Sequence, residues 1–277
     1  MPASNLPPGL EAADLRATTE AERLSLSTEA CWNQTAADWD RLLRLGQGFG
    51  LAERGGPLVA SAILLPYDSA IAWVSMVLVT ARWRRRGLAS HLVREVLAAC
   101  AALGRTAFLD ATPEGTGVYR ALGFAEGEAI TRWLRPAGAP AGPPGAPGDD
   151  AAWQDACRRD ARAMGAPRQA LLQALAAAGR RILRPGGSLL VRPGRVAWQV
   201  GPLVAEDRPT AEALLDDALA ALRSEAAFVD ARDAAGLDDA LRRAGFAPQR
   251  PFRRMHRGRP PPRQSTLLWL TAGPELG

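Results

Sequence analysis

Two α/β units in tandem, each a mixed, mostly antiparallel sheet flanked by helices, are predicted by three observations on this 277-residue chain. Residues 49–80 alternate apolar runs with turn signals, as a meander of strands does, and residues 88–134 then read helix, strand, helix, strand, which requires a crossover. The segment Ala107-Phe-Leu-Asp-Ala111 followed by Tyr119-Arg-Ala-Leu-Gly-Phe124 returns as Ala227-Phe-Val-Asp-Ala231 followed by Leu241-Arg-Arg-Ala-Gly-Phe246. Each copy is preceded by an Ala/Leu-rich helical stretch and followed by a strand, so duplication explains the order better than chance. Between the copies lies Pro136–Gly148, a Pro/Gly/Ala tract with nothing to bury, which reads as a linker. The expected units are residues 1–135 and 150–277, with 136–149 joining them.

In the first unit Leu10–Ala17 opens as a strand, and Glu20–Ser25 and Trp32–Leu45 are helical. Phe49–Glu53, Leu58–Leu65 and Ile71–Thr80 form the meander, turning at Arg54–Pro57 and Pro66–Ser69. A helix over Ser90–Leu103, a strand over Thr106–Ala111, a helix over Thr116–Leu122 and a strand over Glu128–Leu134 complete it. The second unit begins with helices over Asp150–Met164 and Arg168–Ala178, then strands over Gly187–Arg192 and Arg195–Ala205. A helix over Thr210–Arg223, the repeated segment, a strand over Pro251–His256 and a closing strand over Thr266–Thr271 follow.

Composition removes several classes of function. No apolar run approaches the roughly 20 residues of a membrane span, and Met1–Pro8 lacks the basic start and apolar run of a signal peptide, so the chain reads as cytoplasmic with no membrane partner. Cys31, Cys100 and Cys157 are few and far apart and fit reduced, mostly buried thiols. With only His91 and His256 to join them, no metal site is expected. All 34 basic residues are arginine, scattered among 29 acidic ones with no aromatic-interleaved stripe, so the net charge of +5 ranks nucleic acid last among partners. The absence of lysine excludes a Schiff-base mechanism.

The stretch Met76–Ala89 is an apolar strand running through Arg82-Trp-Arg-Arg-Arg-Gly87 into a helix. Such a turn aims several backbone N–H groups and the positive end of a helix dipole at one point, which suits a phosphate. Gly87 and the small Ala89 allow close approach to the backbone. The loop is too short for a dinucleotide fingerprint and lacks the Lys-Ser/Thr of a P-loop.

Arg84-x-x-Gly87-x-Ala89 resembles the pyrophosphate loop of the GNAT (Gcn5-related) N-acetyltransferases, and the order of elements is similar to theirs. The second half resembles the C-terminal domain of bacterial tandem GNAT proteins of the YitH-like type. That likeness rests on Asp160-x-x-x-Met-Gly-Ala-x-Arg168, Gly201-Pro202, Arg250-Pro-Phe-x-Arg254-Met255 and Ala272–Gly277. Trp32-Asn33-Gln34 and Asp38-Trp39 in the first half look familiar from the same group.

The resemblance implies transfer of an acetyl group from acetyl-CoA to the primary amine of a small molecule, directly in a ternary complex. It implies that Arg84, Arg85, Arg86, Gly87, Leu88, Ala89 and Ser90 hold the pyrophosphate. In this family the strand before the loop splays from its neighbour, so main-chain groups of Val77, Leu78 and Val79 would meet the acetyl and pantetheine parts, a fixed N–H stabilising the developing oxyanion. Tyr119-x-x-x-Gly123-Phe124 matches the helix whose tyrosine protonates the departing thiolate, and a phenol with a pKa near 10 is suited to that. Asn33, Tyr67, Asp68 and Asp110 are the residues expected on the acceptor side. Asp110, Asp68 and Glu114 are the candidates for a general base. The family's usual Asn is replaced at Thr112-Pro113. In the second half the loop position reads Glu206-Asp-Arg-Pro-Thr-Ala211 and the tyrosine position is Leu241. Two carboxylates repel phosphate and Pro209 removes a donor, so one acetyl-CoA per chain is expected. A non-catalytic acyl-CoA sensor is the alternative reading, and a homodimer is left open.

Overall fold

The computed structural model describes residues 6–68, 70–138, 150–222 and 224–277. Residues 1–5, Ser69, 139–149 (most of the expected linker) and Arg223 lie outside the described residues. The first half runs β1 (Leu10–Ala13), α1 (Glu20–Glu29), α2 (Ala36–Leu45), β2 (Gln47–Glu53), β3 (Leu58–Tyr67), β4 (Ile71–Val79), α3 (Leu88–Ala102), β5 (Thr106–Ala111), α4 (Pro113–Ala121) and β6 (Ala125–Arg135). The second runs α5 (Asp150–Met164), α6 (Gln169–Ala178), β7 (Arg180–Arg184), β8 (Gly187–Arg192), β9 (Trp198–Ala205), α7 (Arg208–Leu222), β10 (Ala227–Arg232), α8 (Asp238–Arg243), β11 (Ala247–Arg257) and β12 (Leu268–Leu270). β7 was not expected from the sequence, because Arg180, Arg181 and Arg184 mask a short apolar pair, Ile182 and Leu183.

Local chemistry sets most boundaries. Thr19 and Thr35 form reciprocal capping boxes with Glu22 and Asp38 and so start α1 and α2. Thr112 caps α4, with Pro113 at its first position, which starts that helix three residues before the expected Thr116. β3 is buried at nearly every position because helices cover both of its faces.

The strand order is β1-β2-β3-β4-β5-β11-β6-β10-β12-β9-β8-β7, one continuous 12-stranded sheet. The two halves exchange strands within it. β11 of the second half pairs with β5 of the first, and β6 of the first half pairs with β10 of the second. The exchange is reciprocal down to single residues: Met255 of β11 enters the first half's core under α3, while Trp133 of β6 enters the second half's core under α7. Each such burial contributes about 2–3 kcal/mol. On the opposite face one cluster joins both halves, with Trp39, Trp73 and Phe108 packed among Met164, Leu171, Leu190 and Leu276.

Two buried ion pairs bind the exchanged strands. Arg254 on β11 donates from Nε and Nη2 to Asp110 on β5, both at 2.8 Å. Arg132 on β6 does the same to Asp230 on β10, again at 2.8 Å. Asp110 and Asp230 are the repeated Asp of the duplicated segment, so the duplication is visible in the ion pairs as well as in the chain. Among the described residues no helix is long and apolar enough to cross a membrane. Of the three free cysteines only Cys100 is buried; Cys157 is half-buried and Cys31 is exposed in a turn with φ +57°, which corrects the expectation of mostly buried thiols.

Candidate active site

β4 and β5 run parallel, but they pair only at Ile71–Trp73 with Thr106–Phe108 and then diverge. A β-bulge at Met76–Val77, where Met76 takes φ +50° and Ser61 Oγ donates to its carbonyl at 2.8 Å, turns β4 further from its neighbour. The resulting wedge is a groove of about 650 Å³, within the usual range of small-molecule sites. Val77, Leu78 and Val79 line one wall; Arg84, Arg85 and Gly87–Ser90 line its mouth; Thr112, Gly115 and Tyr119 of α4 line the other wall.

The mouth presents free backbone amides at a helix start. Gly87, at φ +82°, leads into α3 with no side-chain cap and no acidic residue in the first turn. The first helical hydrogen bond is His91 N–H to the Gly87 carbonyl at 2.9 Å, which leaves the amides ahead of it without helical acceptors. Arg85 also has positive φ, +60°, completing the tight turn. The arginines divide. Arg84 donates to the Val79 carbonyl at 3.0 Å and reaches Glu29, Arg82 pairs with Glu53, and Arg86 lies over Trp83 at 4.7 Å. Arg86 is absent from the groove lining.

The second half carries the same architecture closed. β9 and β10 also pair in parallel over three residues only, Trp198–Val200 with Ala227–Val229, and the bulge recurs at Gly201–Pro202. There β12 fills the gap, pairing with β9 and β10 at once, and Trp269 Nε1 donates to the Ala205 carbonyl at 3.0 Å. At the start of α7 Asp207 accepts from Thr210 N–H at 2.8 Å, so the chain's own carboxylate occupies this helix start. That backbone bond holds the Asp207 carboxyl below its ordinary range.

Tyr119 lies on the groove wall, its ring edge-on to Phe124 at 5.8 Å. Gly115 makes room for it, since a Cβ there would come within 3.0 Å of the ring. Burial pushes the phenol above its ordinary 10, so the proton stays on at neutral pH. The hydroxyl has no hydrogen-bond partner among the described residues.

Behind Tyr119 the groove opens into an inner pocket that sequence reasoning missed. Its lining includes Gln34, Ser75, Arg132, Arg250, Phe252 and Glu275, so both halves build it. Arg250 and Phe252 arrive on the exchanged strand. Glu275 arrives on the buried segment 272–277, which is held where Trp73 Nε1 donates to the Pro274 carbonyl, Tyr67 Oη to Leu276, and Arg192 Nη1 to Ala272, at 2.8–2.9 Å. Trp32-Asn33-Gln34, Arg250-Pro-Phe and Ala272–Gly277 were visible in the sequence as motifs, but only the strand exchange brings them together.

The expected acceptor residues fare differently. Asp110 does line both groove and pocket, yet both its oxygens are committed to Arg254, so it is not a free base. Burial opposes charge on both partners; Asp110's charge and hydrogen bonds nevertheless hold the Arg254 proton on more firmly than usual. Asn33 is a structural bolt: its amide donates to the Ala197 carbonyl at 2.9 Å and accepts from Val196 and Ala197 N–H. Tyr67 is in the core, its hydroxyl spent on Leu276. Asp68 sits with φ +47° in the turn before β4, about 20 Å along that strand from Val77. Glu114 is exposed in the first turn of α4, and hydrogen bonds from its own backbone and from Thr112 hold its carboxyl low. His91 faces Glu95 at 3.4 Å on the outside of α3.

Residues 14–124 match the family model described as the acetyltransferase (GNAT) family, and residues 156–269 match one described as the acetyltransferase (GNAT) domain. The chain is a tandem GNAT protein. Among solved structures it is similar to a putative acetyltransferase from Pyrococcus horikoshii, at 18% identity and TM-score 0.82, covering 98% of this chain and 97% of that one. It is also similar to a GCN5-related N-acetyltransferase from Sphaerobacter thermophilus (18% identity, TM-score 0.60, 94% and 99% covered). A tandem GNAT protein from the clavulanic acid biosynthesis pathway gives 17%, 0.61, 90% and 98%. No curated protein sequence matches significantly. In this tandem GNAT chain the first domain keeps an open wedge and the second has closed its own.

Proposed function

We propose that the protein transfers an acetyl group from acetyl-CoA to the primary amine of a small molecule, in one step within a ternary complex. The observation that carries this reading is the contrast between the two wedges: the first is open and leads to an uncapped helix N-terminus, while the second is filled by β12 and capped by Asp207. An unneutralised helix start next to a backbone-lined groove fits a pyrophosphate continued by an amide-bearing arm.

The amides of Gly87–Ser90 would hold the pyrophosphate, and the free edge of Val77–Val79 the pantetheine and the acetyl carbonyl. Acetyl-CoA supplies the activated acyl group as a thioester. A main-chain N–H on the bulged β4 is fixed in place, so it can stabilise a developing oxyanion without reorganising. As the N–C bond forms and the C–S bond breaks, Tyr119, protonated and unpaired on the groove wall, donates its proton to the sulfur, and the proton that leaves the amine nitrogen restores the phenol, so that amide and free thiol depart. The inner pocket beyond it is the space left for the amine.

A thiol-release screen of amines with acetyl-CoA tests the reading. Tyr119→Phe is expected to lower kcat by about 100- to 10,000-fold with coenzyme A affinity unchanged, the range for a positioned acid. Wild-type protein that binds coenzyme A but acetylates no amine in a broad panel would refute acyl transfer and leave a sensor.

A further inference from the structure

We infer that the acceptor is a small amine that also carries a carboxylate: the inner pocket receives the amine, and Arg250 receives the anion. The inference rests on the acyl-transfer reading above and gives its acceptor a chemical class.

Gln34 and Ser75 lie on the pocket wall at 5% and 2% exposure, and their Oε1 and Oγ atoms have no hydrogen-bond partner. A buried polar atom left unpaired costs about 1–3 kcal/mol, so two of them beside one pocket mark the place of a polar ligand group. Oε1 of Gln34 can only accept, and Ser75 Oγ can accept as well as donate. Glu275 adds a carboxylate, one oxygen of which already accepts from Arg192 Nη2 at 2.7 Å. Such a wall asks for N–H donors, which an amine provides.

The charge balance then selects among amines. Of the carboxylates lining groove and pocket, Asp110 is neutralised by Arg254 and Glu275 by Arg192. Glu29 meets Arg84, and Glu114 is exposed and bonded to Thr112. Arg132 is neutralised by Asp230. Two arginines lack such a partner, Arg85 at the exposed mouth and Arg250. Arg250 is half-buried at the neck, lining both groove and pocket, and among the described residues its side chain makes no ion pair or hydrogen bond. Glu114 feels its charge, but not within contact distance. Arg250 stands directly opposite Arg132 across the β11–β6 pair, so the two guanidiniums share one face of the sheet. In the inner pocket a polycation would meet no carboxylate free of an arginine partner and would meet Arg250; Glu114, which has no ion pair, lines only the groove and is exposed there. The phosphates of coenzyme A belong at the other end of the groove, and its pantetheine arm is neutral, so the anion for Arg250 comes with the acceptor. A carboxylate fits the planar guanidinium through two parallel hydrogen bonds.

The experiment uses protein saturated with coenzyme A and a panel of amino acids, each paired with its decarboxylated amine. Binding is measured by calorimetry, and turnover by thiol release from acetyl-CoA. At least one acid-bearing member is expected to bind tenfold or more tightly than its partner, as a charge-assisted bidentate contact implies. Arg250→Gln is expected to abolish that preference while leaving the coenzyme A affinity and the melting temperature unchanged, and Arg250→Lys to keep part of it. Equal binding within every pair, preference for the decarboxylated amines, or loss of coenzyme A affinity in Arg250→Gln overturns the inference. Arg250-dependent binding without acetylation would uphold this inference and overturn acyl transfer. Equal acetylation of both members would do the reverse.

Discussion

Removing Arg254 isolates the energetics of the strand exchange. In Arg254→Met the Asp110 carboxylate loses both of its hydrogen bonds and stays buried against the sheet. Breaking a buried pair from one side costs about 3–5 kcal/mol, because the remaining charge is uncompensated. The equivalent Arg132→Met is expected to cost less. There Asp230 keeps a hydrogen bond from Gln199 Nε2 at 2.9 Å, and a bond to a charged group contributes about 1.5–3 kcal/mol. The predicted order is therefore Arg254→Met worse than Arg132→Met by about 1.5–3 kcal/mol. With about 2 °C per kcal/mol for a chain of this length, the first variant should melt about 6–10 °C below wild type. Urea unfolding followed by circular dichroism measures both, and the double variant Asp110→Asn/Arg254→Met should recover a large part of the loss. A cost below about 1 kcal/mol for Arg254→Met, or the opposite order of the two variants, would refute the claim that these pairs hold the exchanged strands.

Three further outcomes follow from the same geometry. A Cβ at Gly87 meets nothing within 4 Å, so Gly87→Ala leaves folding intact and loses only the left-handed backbone. Coenzyme A affinity should fall by roughly 5- to 30-fold, the equivalent of about 1–2 kcal/mol, in a direct titration. Asn33→Ala strands the Val196 and Ala197 amides and should destabilise by about 1–3 kcal/mol without changing the KM for the acceptor, as expected of a bolt and not of a substrate contact. The only two tyrosines, Tyr67 and Tyr119, both have pKa values raised above 10 by burial. Groups raised in this way contribute stability that is whole below pH 10 and is lost as pH climbs through the folded-state values. Phenolate absorbance should stay flat through pH 10 in the folded protein and appear together with unfolding; a tyrosine titrating near 10 while the fold persists would contradict the assigned burial.

The elements with local causes were legible in the sequence. Thr106–Ala111, Asp150–Met164 and Gly187–Arg192 follow from apolar runs and turn signals, and the loop at Arg84–Ala89 announced itself through Gly87 and the helix after it. The duplication was legible as well, from Asp110 and Asp230 in their repeated settings. The exchange of β6 and β11 was not. A strand reads the same whichever neighbour it pairs with, and the choice is made by partners more than 90 residues away, such as Asp230 for Arg132. On the acceptor side only Asp110, of the residues expected there, lines the pocket. Asn33, Tyr67 and Asp68 lie elsewhere, and the pocket is assembled from Gln34, Ser75, Arg250 and Glu275 on four separate segments that only the tertiary fold brings together. In the second half the carboxylates at Glu206 and Asp207 were read as repulsive; the structure adds that Asp207 caps α7 and that β12 occupies the wedge.

A crystal structure with coenzyme A bound tests the central claim most directly. One molecule per chain is expected, its pyrophosphate on the amides of Gly87–Ser90 and its pantetheine arm between β4 and β5 with the sulfur near Tyr119. Coenzyme A at the start of α7, a second copy in the C-terminal half with β12 displaced, or an empty groove at saturating ligand would contradict it.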